Sequence, residues 1–456
     1  MDTIAAISTG LSNSGISIIR VSGPETFEVM DKIFSARNTE KKLSAQKTHT
    51  IHYGFIKDGE EIIDEVLVSV MRAPHTYTAE HVAEINCHGG SLVTKKVLET
   101  VLKQGVRLAE AGEFTKRAFL NGRIDLSKAE AVMEVIRAKS DLALKNSMAQ
   151  LQGRVLKEIS DLREVMIHHT AFIEAALDDP EHISLDGFTN ELKESIIKIR
   201  ERLKKLIDSA ENGRMLREGI RTVILGKPNV GKSSLLNLLA GEERAIVTDI
   251  AGTTRDTIEE TVTIRGIALS LIDTAGIRST EDIVEKIGVE KAKKAAEDAD
   301  LILYLADATE QVLEEEKELI SLIARKKSII LLNKIDLCEM PDTSALEKLT
   351  GQKVLCISAK NEEGLEELYD TIEQMFFQNE LSYNEELYIT GERQKQALQS
   401  AYEAAGQVLQ SIEAGLPEDF YSIDLMQGYE SLGEITGESV DEDLVNTIFR
   451  EFCMGK

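Results

Sequence analysis

The sequence predicts an α/β plus α+β chain: an α+β N-terminal domain, then a helical domain into which a mostly parallel α/β domain is inserted. Three observations carry that expectation. β-Branched stretches interrupted by glycines fill the first 120 residues. Segments rich in Ala, Leu, Glu and Lys, with apolar residues at helical intervals, flank the middle on both sides. Between them, short apolar strands alternate with helices. The boundaries read as 1–120, 121–215, 216–378 and 379–456, the second and fourth segments being two parts of one helical domain.

In chain order, Gly15–Arg20 and Ile62–Val70 read as strands of the first domain. From about Leu126 to Ile207 the pattern is helical, with Pro180 as its only proline. Thr222–Leu225, Leu301–Ala306, Ser328–Leu332 and Val354–Ile357 are short apolar runs, as expected of parallel strands covered on both faces. Thr261–Ile264 and Ala268–Ile272 flank Arg265–Ile267, too short a connection for a crossover helix, so they should pair antiparallel. Ala397–Ala405 and Leu444–Phe449 are helical again.

With 456 residues, 42% of them hydrophobic and six prolines, the chain can bury several cores. No apolar run approaches the roughly 20 residues of a bilayer-spanning helix. Met1–Gly10 lacks the basic segment and apolar core of a signal peptide. The expectation is a cytoplasmic protein without a membrane partner. Cys87, Cys338, Cys356 and Cys453 are scattered without CxxC spacing, which suggests reduced thiols rather than a zinc knuckle or disulfide framework. The formal charge of −26 argues against a chain that grips nucleic acid alone, because that affinity comes mainly from Lys and Arg. The charge is uneven: residues 1–120 carry 14 Lys/Arg against 15 Asp/Glu, residues 380–456 only 4 against 16. Any nucleic-acid contact is therefore local or shared with a partner.

The inserted domain carries a phosphate loop. Gly226, Lys227, Pro228, Asn229, Val230, Gly231, Lys232 and Ser233 follow a strand and precede a helical run beginning at Ser234. In that context backbone amides converge on phosphate oxygens, Lys232 reaches the outer phosphates and Ser233 supplies a Mg2+ ligand. Asp273, Thr274, Ala275 and Gly276 come at the end of another strand, where the carboxylate holds magnesium through water and the glycine amide senses the γ-phosphate. Asn333, Lys334 and Asp336, after the fifth strand, suit guanine: a carboxylate accepts from the ring N–H and the exocyclic amine, a donor pair adenine lacks. Ser358, Ala359 and Lys360 back the same base. Together these select GTP over ATP in a Ras-like P-loop GTPase domain. Thr248, Asp249, Ile250, Ala251, Gly252, Thr253 and Thr254 form a polar, glycine-broken loop suited to ordering on γ-phosphate and magnesium, with Thr254 the second Mg2+ ligand.

Many GTPases place a water-positioning Gln after the Asp-x-x-Gly segment; here the residue is Ile277, and the acidic Glu281, Asp282 and Glu285 follow. A monovalent cation can supply the missing positive charge. Asn229 offers a side-chain oxygen, and the carbonyls of Thr248, Ile250 and Thr253 complete a K+ cage; the alternative for Asn229 is a turn-forming role. His88 beside Cys87 reads as a turn rather than a metal site.

The flanks decide among families with such a loop. The run Ala111–Leu126, with Phe114, Lys116, Arg117, Asn121 and Arg123, and the terminal Phe452, Cys453, Met454, Gly455 and Lys456 resemble the tRNA-modification GTPase family called MnmE or TrmE, across essentially the whole chain. The resemblance implies a folate-binding-type N-terminal domain that dimerises, and GTP-domain dimerisation across the nucleotide with K+. It implies modification of C5 of the tRNA wobble uridine, as an aminomethyl or carboxymethylaminomethyl addition, with a flavin-dependent (FAD) MnmG/GidA-type partner in an α2β2 or larger complex. The carbon would come from 5-formyl- or methylene-tetrahydrofolate. By resemblance the water-orienting residue is Glu285 and the potassium ligand Asn229. Arg20, Glu84, Arg123 and Lys456 are the folate residues; each has an ordinary ion-pair alternative. Arg123 stands where many relatives have Lys. Cys453 is either a thiol used near the folate or a packing cysteine. Two other function classes remain: an Era-like ribosome-assembly GTPase, disfavoured because the chain turns acidic where a basic RNA-binding module belongs, and a folate-dependent one-carbon transferase regulated by GTP.

Overall fold

The computed structural model describes residues 2–10, 13–36, 41–242, 260–272, 294–310, 323, 326–377, 387–438, 440, 442–450, 452 and 455. They form two compact units. One comprises Met1–Met133, Val155–Arg163 and Glu430–Lys456, the other Glu134–Arg154 and Glu164–Tyr429.

The first unit is built on a seven-stranded sheet. Its strands are β1 (Ile4–Ile7), β2 (Ile16–Ser22), β3 (Phe34–Ala36), β4 (Thr50–Asp58), β5 (Glu61–Met71), β6 (Val82–His88) and β7 (Arg107–Leu108), in the order β3-β4-β5-β6-β2-β1-β7. All neighbours are antiparallel except β1 and β7. The period-2 alternation that marks the strands in sequence also explains the layering. Ile19, Val21, Ile56, Val66, Val68, Val70 and Ile85 point to one buried face, where Met30 and Ile33 of α1 (Thr26–Ile33) and Val97 and Val101 of α2 (Ser91–Leu102) cover them. On the other face Ile16, Ile51, Tyr53 and Leu67 stay exposed.

Helix α3 (Glu113–Leu120) follows Gly112, whose φ of +68° needs glycine; an added Cβ would stand 2.5 Å from the Phe449 carbonyl oxygen. Helix α4 (Leu126–Arg137) contributes Leu126, Ala129 and Met133 to a cluster with Val445, Phe449 and Phe452 from the end of the chain. The buried Arg117 guanidinium is satisfied by Asp2, Glu80 and Glu113.

The second unit holds α5 (Asp141–Leu151), most of α6 (Arg154–Asp178), which stops short of Pro180, and α7 (Phe188–Glu218). After Gly219 alone, α7 gives way to β8 (Ile220–Gly226). With β9 (Glu260–Ile264), β10 (Ile267–Leu271), β11 (Leu301–Asp307), β12 (Ser328–Asn333) and β13 (Val354–Cys356) this strand makes a six-stranded sheet ordered β13-β12-β11-β8-β10-β9. It is parallel apart from β9 against β10. The turn between those two is tighter than the sequence suggests. Ile267 pairs with Ile264, leaving Arg265 (φ +47°) and Gly266 (φ +81°) as a two-residue turn with both φ angles positive.

Because both faces are covered, the central strands are mostly apolar. Ile224, Leu303, Leu305 and Leu331 meet α8 (Lys232–Glu242) and, after α9 (Ser344–Thr350), α10 (Leu365–Phe377) on one side. Val223, Ile302, Tyr304 and Ile330 meet Leu346 of α9, and Ala296 from the stretch before β11, on the other. The chain continues through α11 (Glu392–Glu413) and α12 (Glu418–Thr436) to α13 (Glu442–Arg450), which belongs to the first unit. No helix among the described residues is long and apolar enough to cross a membrane.

Candidate functional site

Strand β8 delivers the chain to the phosphate loop at the C-terminal edge of the parallel sheet, the edge at which open α/β sheets bind ligands. Two glycines there are required by packing. Gly226 has φ +147°, and an added Cβ would stand 2.3 Å from the Leu305 carbonyl oxygen of the neighbouring β11. Gly231 has φ +101°, and its Cβ would stand 2.2 Å from Asn333 Nδ2. Asn229 adopts φ +64°, a left-handed conformation that Asn tolerates better than most residues. Helix α8 begins at Lys232, so Ser233 and Ser234, both exposed, lie in its first turn, where the helix dipole favours anions. Lys232 Nζ curls over the loop, donating to the carbonyl oxygens of Gly226 (2.7 Å) and Lys227 (2.5 Å). Burial holds this ammonium below the ordinary lysine range.

The base-reading segments converge on the same edge. Asn333, 2% exposed at the end of β12, donates through Nδ2 to the Val230 carbonyl oxygen at 2.7 Å and accepts at Oδ1 from the Ala359 amide at 3.0 Å. One side chain thus fastens the phosphate loop to the loop at Ser358–Lys360. Asp336 accepts from Ser358 Oγ at 2.8 Å, which orients its carboxylate, and Lys360, two residues after Ser358, is exposed. Lys334, with φ +67°, places Nζ 2.6 Å from Asp307 Oδ2. The motif reading does not select Asp307. Its only trace in sequence is a single carboxylate closing an otherwise apolar strand.

Residues Thr248–Thr254, Asp273, Thr274, Ala275, Gly276, Glu285, Cys453 and Lys456 lie outside the described residues. The described chain reaches Ile272, whose amide donates to the Thr222 carbonyl oxygen at 2.9 Å, so β10 runs beside β8 up to the point where the second phosphate motif begins.

A second gathering of candidates lies in the first unit. Arg20 and Glu84 are cross-strand partners on β2 and β6, joined at 2.9 Å from both Nε and Nη2 of Arg20 to Oε1. The Arg20 guanidinium lies 5.2 Å from the Tyr77 ring centre and that of Arg123 4.9 Å, so one aromatic ring carries both cations. Arg20 Nη1 also donates to the Gly455 carbonyl oxygen at 3.4 Å, as does Ser8 Oγ at 3.1 Å. Gly455, at φ +91°, sits so close to β1 that an added Cβ would be 2.3 Å from the Ile7 carbonyl oxygen. Three of the four candidate folate residues are therefore together, and the chain end arrives at the same place. His88, by contrast, pairs with Asp64 at 2.7 Å.

These two gatherings occur in a chain whose residues 126–453 match the family description "MnmE helical domain" and whose residues 3–123 match "GTP-binding protein TrmE N-terminus". The chain belongs to the MnmE (TrmE) family. A tRNA modification GTPase MnmE of Lachnoclostridium phytofermentans is 60% identical over 455 residues, covering 100% of this chain and 99% of that protein. The protein of the same name from Clostridioides difficile is 49% identical, with the same coverage. Among solved structures, the G domain of the T. maritima FeoB iron transporter is 32% identical over 34% of this chain and 98% of that one, with a TM-score of 0.26. The MnmE family accounts for the α/β domain set between helical segments and for the α+β domain ahead of them.

Proposed function

We propose that this protein hydrolyses GTP as the switch component of a tRNA wobble-uridine modification enzyme. The observation that carries the GTPase part is the Asn333 bridge, which brings a phosphate loop and a guanine-suited loop to one edge of the sheet. In this reading Asp336 accepts from the base, Lys232 leaves its carbonyl partners for the outer phosphates, and Ser233 with Thr254 binds Mg2+, which neutralises charge on the phosphates. Asn229 and the carbonyls of Thr248, Ile250 and Thr253 hold K+, and Glu285 orients the attacking water. The exposed, left-handed Asn229 and the exposed Ser233 at the start of α8 fit these assignments.

The tRNA part rests on family membership. The protein acts in the cytoplasm with a flavin-dependent MnmG/GidA-type partner in an α2β2 or larger complex. The domains are 1–120, 121–215 with 379–456, and 216–378. Arg20, Glu84, Arg123 and Lys456 hold a tetrahydrofolate that supplies the one-carbon unit. A flat aromatic ring flanked by two guanidiniums and a carboxylate fits a pterin with an anionic tail. The exposed apolar face of the N-terminal sheet, with Ile51, Tyr53 and Leu67, fits a homodimer contact.

The test is steady-state GTP hydrolysis by wild-type and Asn229→Ala protein in KCl and in NaCl at equal ionic strength. Marked stimulation by K+ that the substitution removes is expected. Equal rates in both salts would defeat the cation assignment; no hydrolysis in either would defeat the GTPase reading.

A further inference from the structure

The loop that follows β11 touches both nucleotide-binding segments, although no nucleotide-binding motif includes it. Asp307 closes the strand with its carboxylate almost fully enclosed, its side chain 4% exposed. One oxygen, Oδ1, accepts from the Thr309 amide at 2.9 Å and from Thr309 Oγ1 at 2.7 Å. The other, Oδ2, meets Lys334 Nζ at 2.6 Å. The Ala308 amide donates to the Asn333 carbonyl oxygen at 2.9 Å, Cys338 Sγ donates to the Ala308 carbonyl oxygen at 3.2 Å, and Glu310 lies 3.6 Å from Lys227 Nζ of the phosphate loop. Residues 307–310 thus brace the guanine-suited loop from one side.

Lys334 needs such a brace. It is a non-glycine residue at φ +67°, a conformation that costs free energy unless its surroundings hold it. Its long side chain also has many rotamers, and ordering them at the moment of binding would weaken affinity. A charge-assisted bond to a buried carboxylate removes both difficulties in advance. Burial alone would raise the Asp307 pKa, but Lys334 and the two Thr309 donors more than offset it and hold the group below the ordinary carboxylate range. Asp307 therefore meets Lys334 as a carboxylate near neutral pH.

We infer that Asp307 is a positioning residue for guanine-nucleotide binding, acting through Lys334, whose backbone and ammonium it fixes beside Asn333 and Asp336. This rests on the reading of Asn333, Lys334 and Asp336 as the guanine site.

The experiment is a double-substitution cycle on the full-length protein, read as the Kd for fluorescent GDP, with thermal unfolding of nucleotide-free protein alongside. Asp307→Asn keeps the shape and the Thr309 contacts but removes the charge; it should weaken GDP binding by about tenfold or more, the scale of a charge-assisted hydrogen bond. Lys334→Met should weaken it as well, and adding Asp307→Asn to Lys334→Met should cost less than twofold further, since the partner is already gone. Thr309→Val, which disturbs the loop but not the ion pair, should stay within about twofold of wild type. Asp307→Glu, which displaces the charge by one methylene, carries the test if the asparagine variant melts early, and should also weaken GDP binding. Additive losses in the cycle, wild-type affinity in Asp307→Asn, or an equal loss in Thr309→Val would each overturn the inference. Asp336→Asn serves as the separate check on the guanine site. Xanthosine diphosphate, with a carbonyl where guanine has its amine, should gain affinity for that variant. If it does not, the guanine reading itself fails, whatever Asp307 does.

Discussion

Gly231 shows how tightly single atoms set this site. With φ +101° and only 2.2 Å between a prospective Cβ and Asn333 Nδ2, Gly231→Ala must either strain the loop or break the Asn333 bridge to Val230. We expect the alanine variant to lose guanine-nucleotide affinity by about tenfold or more, measured by GDP titration. Unchanged affinity would mean that the bridge is dispensable. His169 offers a test in a different place. It is 6% exposed, packs on Phe188 and shares a hydrogen bond of 2.9 Å with Ser195 Oγ, and burial holds its pKa below the ordinary 6.5. The unfolded chain therefore binds a proton at a pH where the folded chain does not. Stability from this group is complete above pH 6.5 and declines as the pH falls from there toward the folded value. The loss of melting temperature between pH 7.5 and 6 should be smaller in His169→Gln than in wild type; an equal loss would assign the effect to other groups. The sequence makes Gly231 legible, because phosphate-loop spacing already demands glycine there. It hides Asp307 and His169, because a side chain's importance at those positions depends on partners 27 and 26 residues away that no local pattern marks.

At the level of elements, the junction of α7 with β8 is the place where the helical segment and the nucleotide-binding sheet become one piece. Asp300, just before β11, accepts from Arg214 of α7 at 2.8 Å and from the Arg221 amide of β8 at 3.1 Å, and also contacts the Arg221 guanidinium. These donors more than offset the effect of burial and hold its carboxyl below the ordinary range. The returning chain is fastened close by. Asn146 of α5 both donates to the Tyr388 carbonyl oxygen and accepts from its amide, each at 3.3 Å, and Gln150 donates to Tyr388 and Thr390. Gly213 of α7 leaves room for this segment, since a Cβ there would be 1.9 Å from the Ile389 carbonyl oxygen. Asp300→Ala should cost about 1–2 kcal/mol, allowing for partly exposed arginines, read as a shift in the denaturant midpoint of the nucleotide-binding sheet. No shift would show that α7 is held by apolar packing alone. The strands of the nucleotide-binding sheet were legible, including the antiparallel β9–β10 pair, since periodicity and loop length settle both; of the seven strands in the first sheet only β2 and β5 were. The clamp at Asn146 was not, because it joins residues 242 apart in sequence.

For the molecule as a whole, the charge of −26 constrains how tRNA is engaged. We expect the isolated protein to bind tRNA weakly, with affinity falling as salt rises and recovering when the proposed flavin partner contributes a basic surface. Fluorescence anisotropy of labelled tRNA with each protein and with both would decide. Tight, salt-independent binding by this chain alone would show that the acidic surface is no obstacle. A nucleotide-binding sheet set among helical segments was legible, because the phosphate loop, the guanine motif and the helical composition fall in separate stretches. The composition of the first unit was not, because it gathers residues from both ends of the chain. That gathering bears on how the protein is made. Gly112 and Phe119 emerge from the ribosome more than 300 residues before Phe449 and Phe452, against which this part of the unit is finished. The N-terminal sheet can form early, yet the apolar seat that α4 offers α13 stays open through synthesis of everything between. Nascent chains stalled before residue 440 should therefore be conspicuous clients for a chaperone, and release of the last helix should end that dependence.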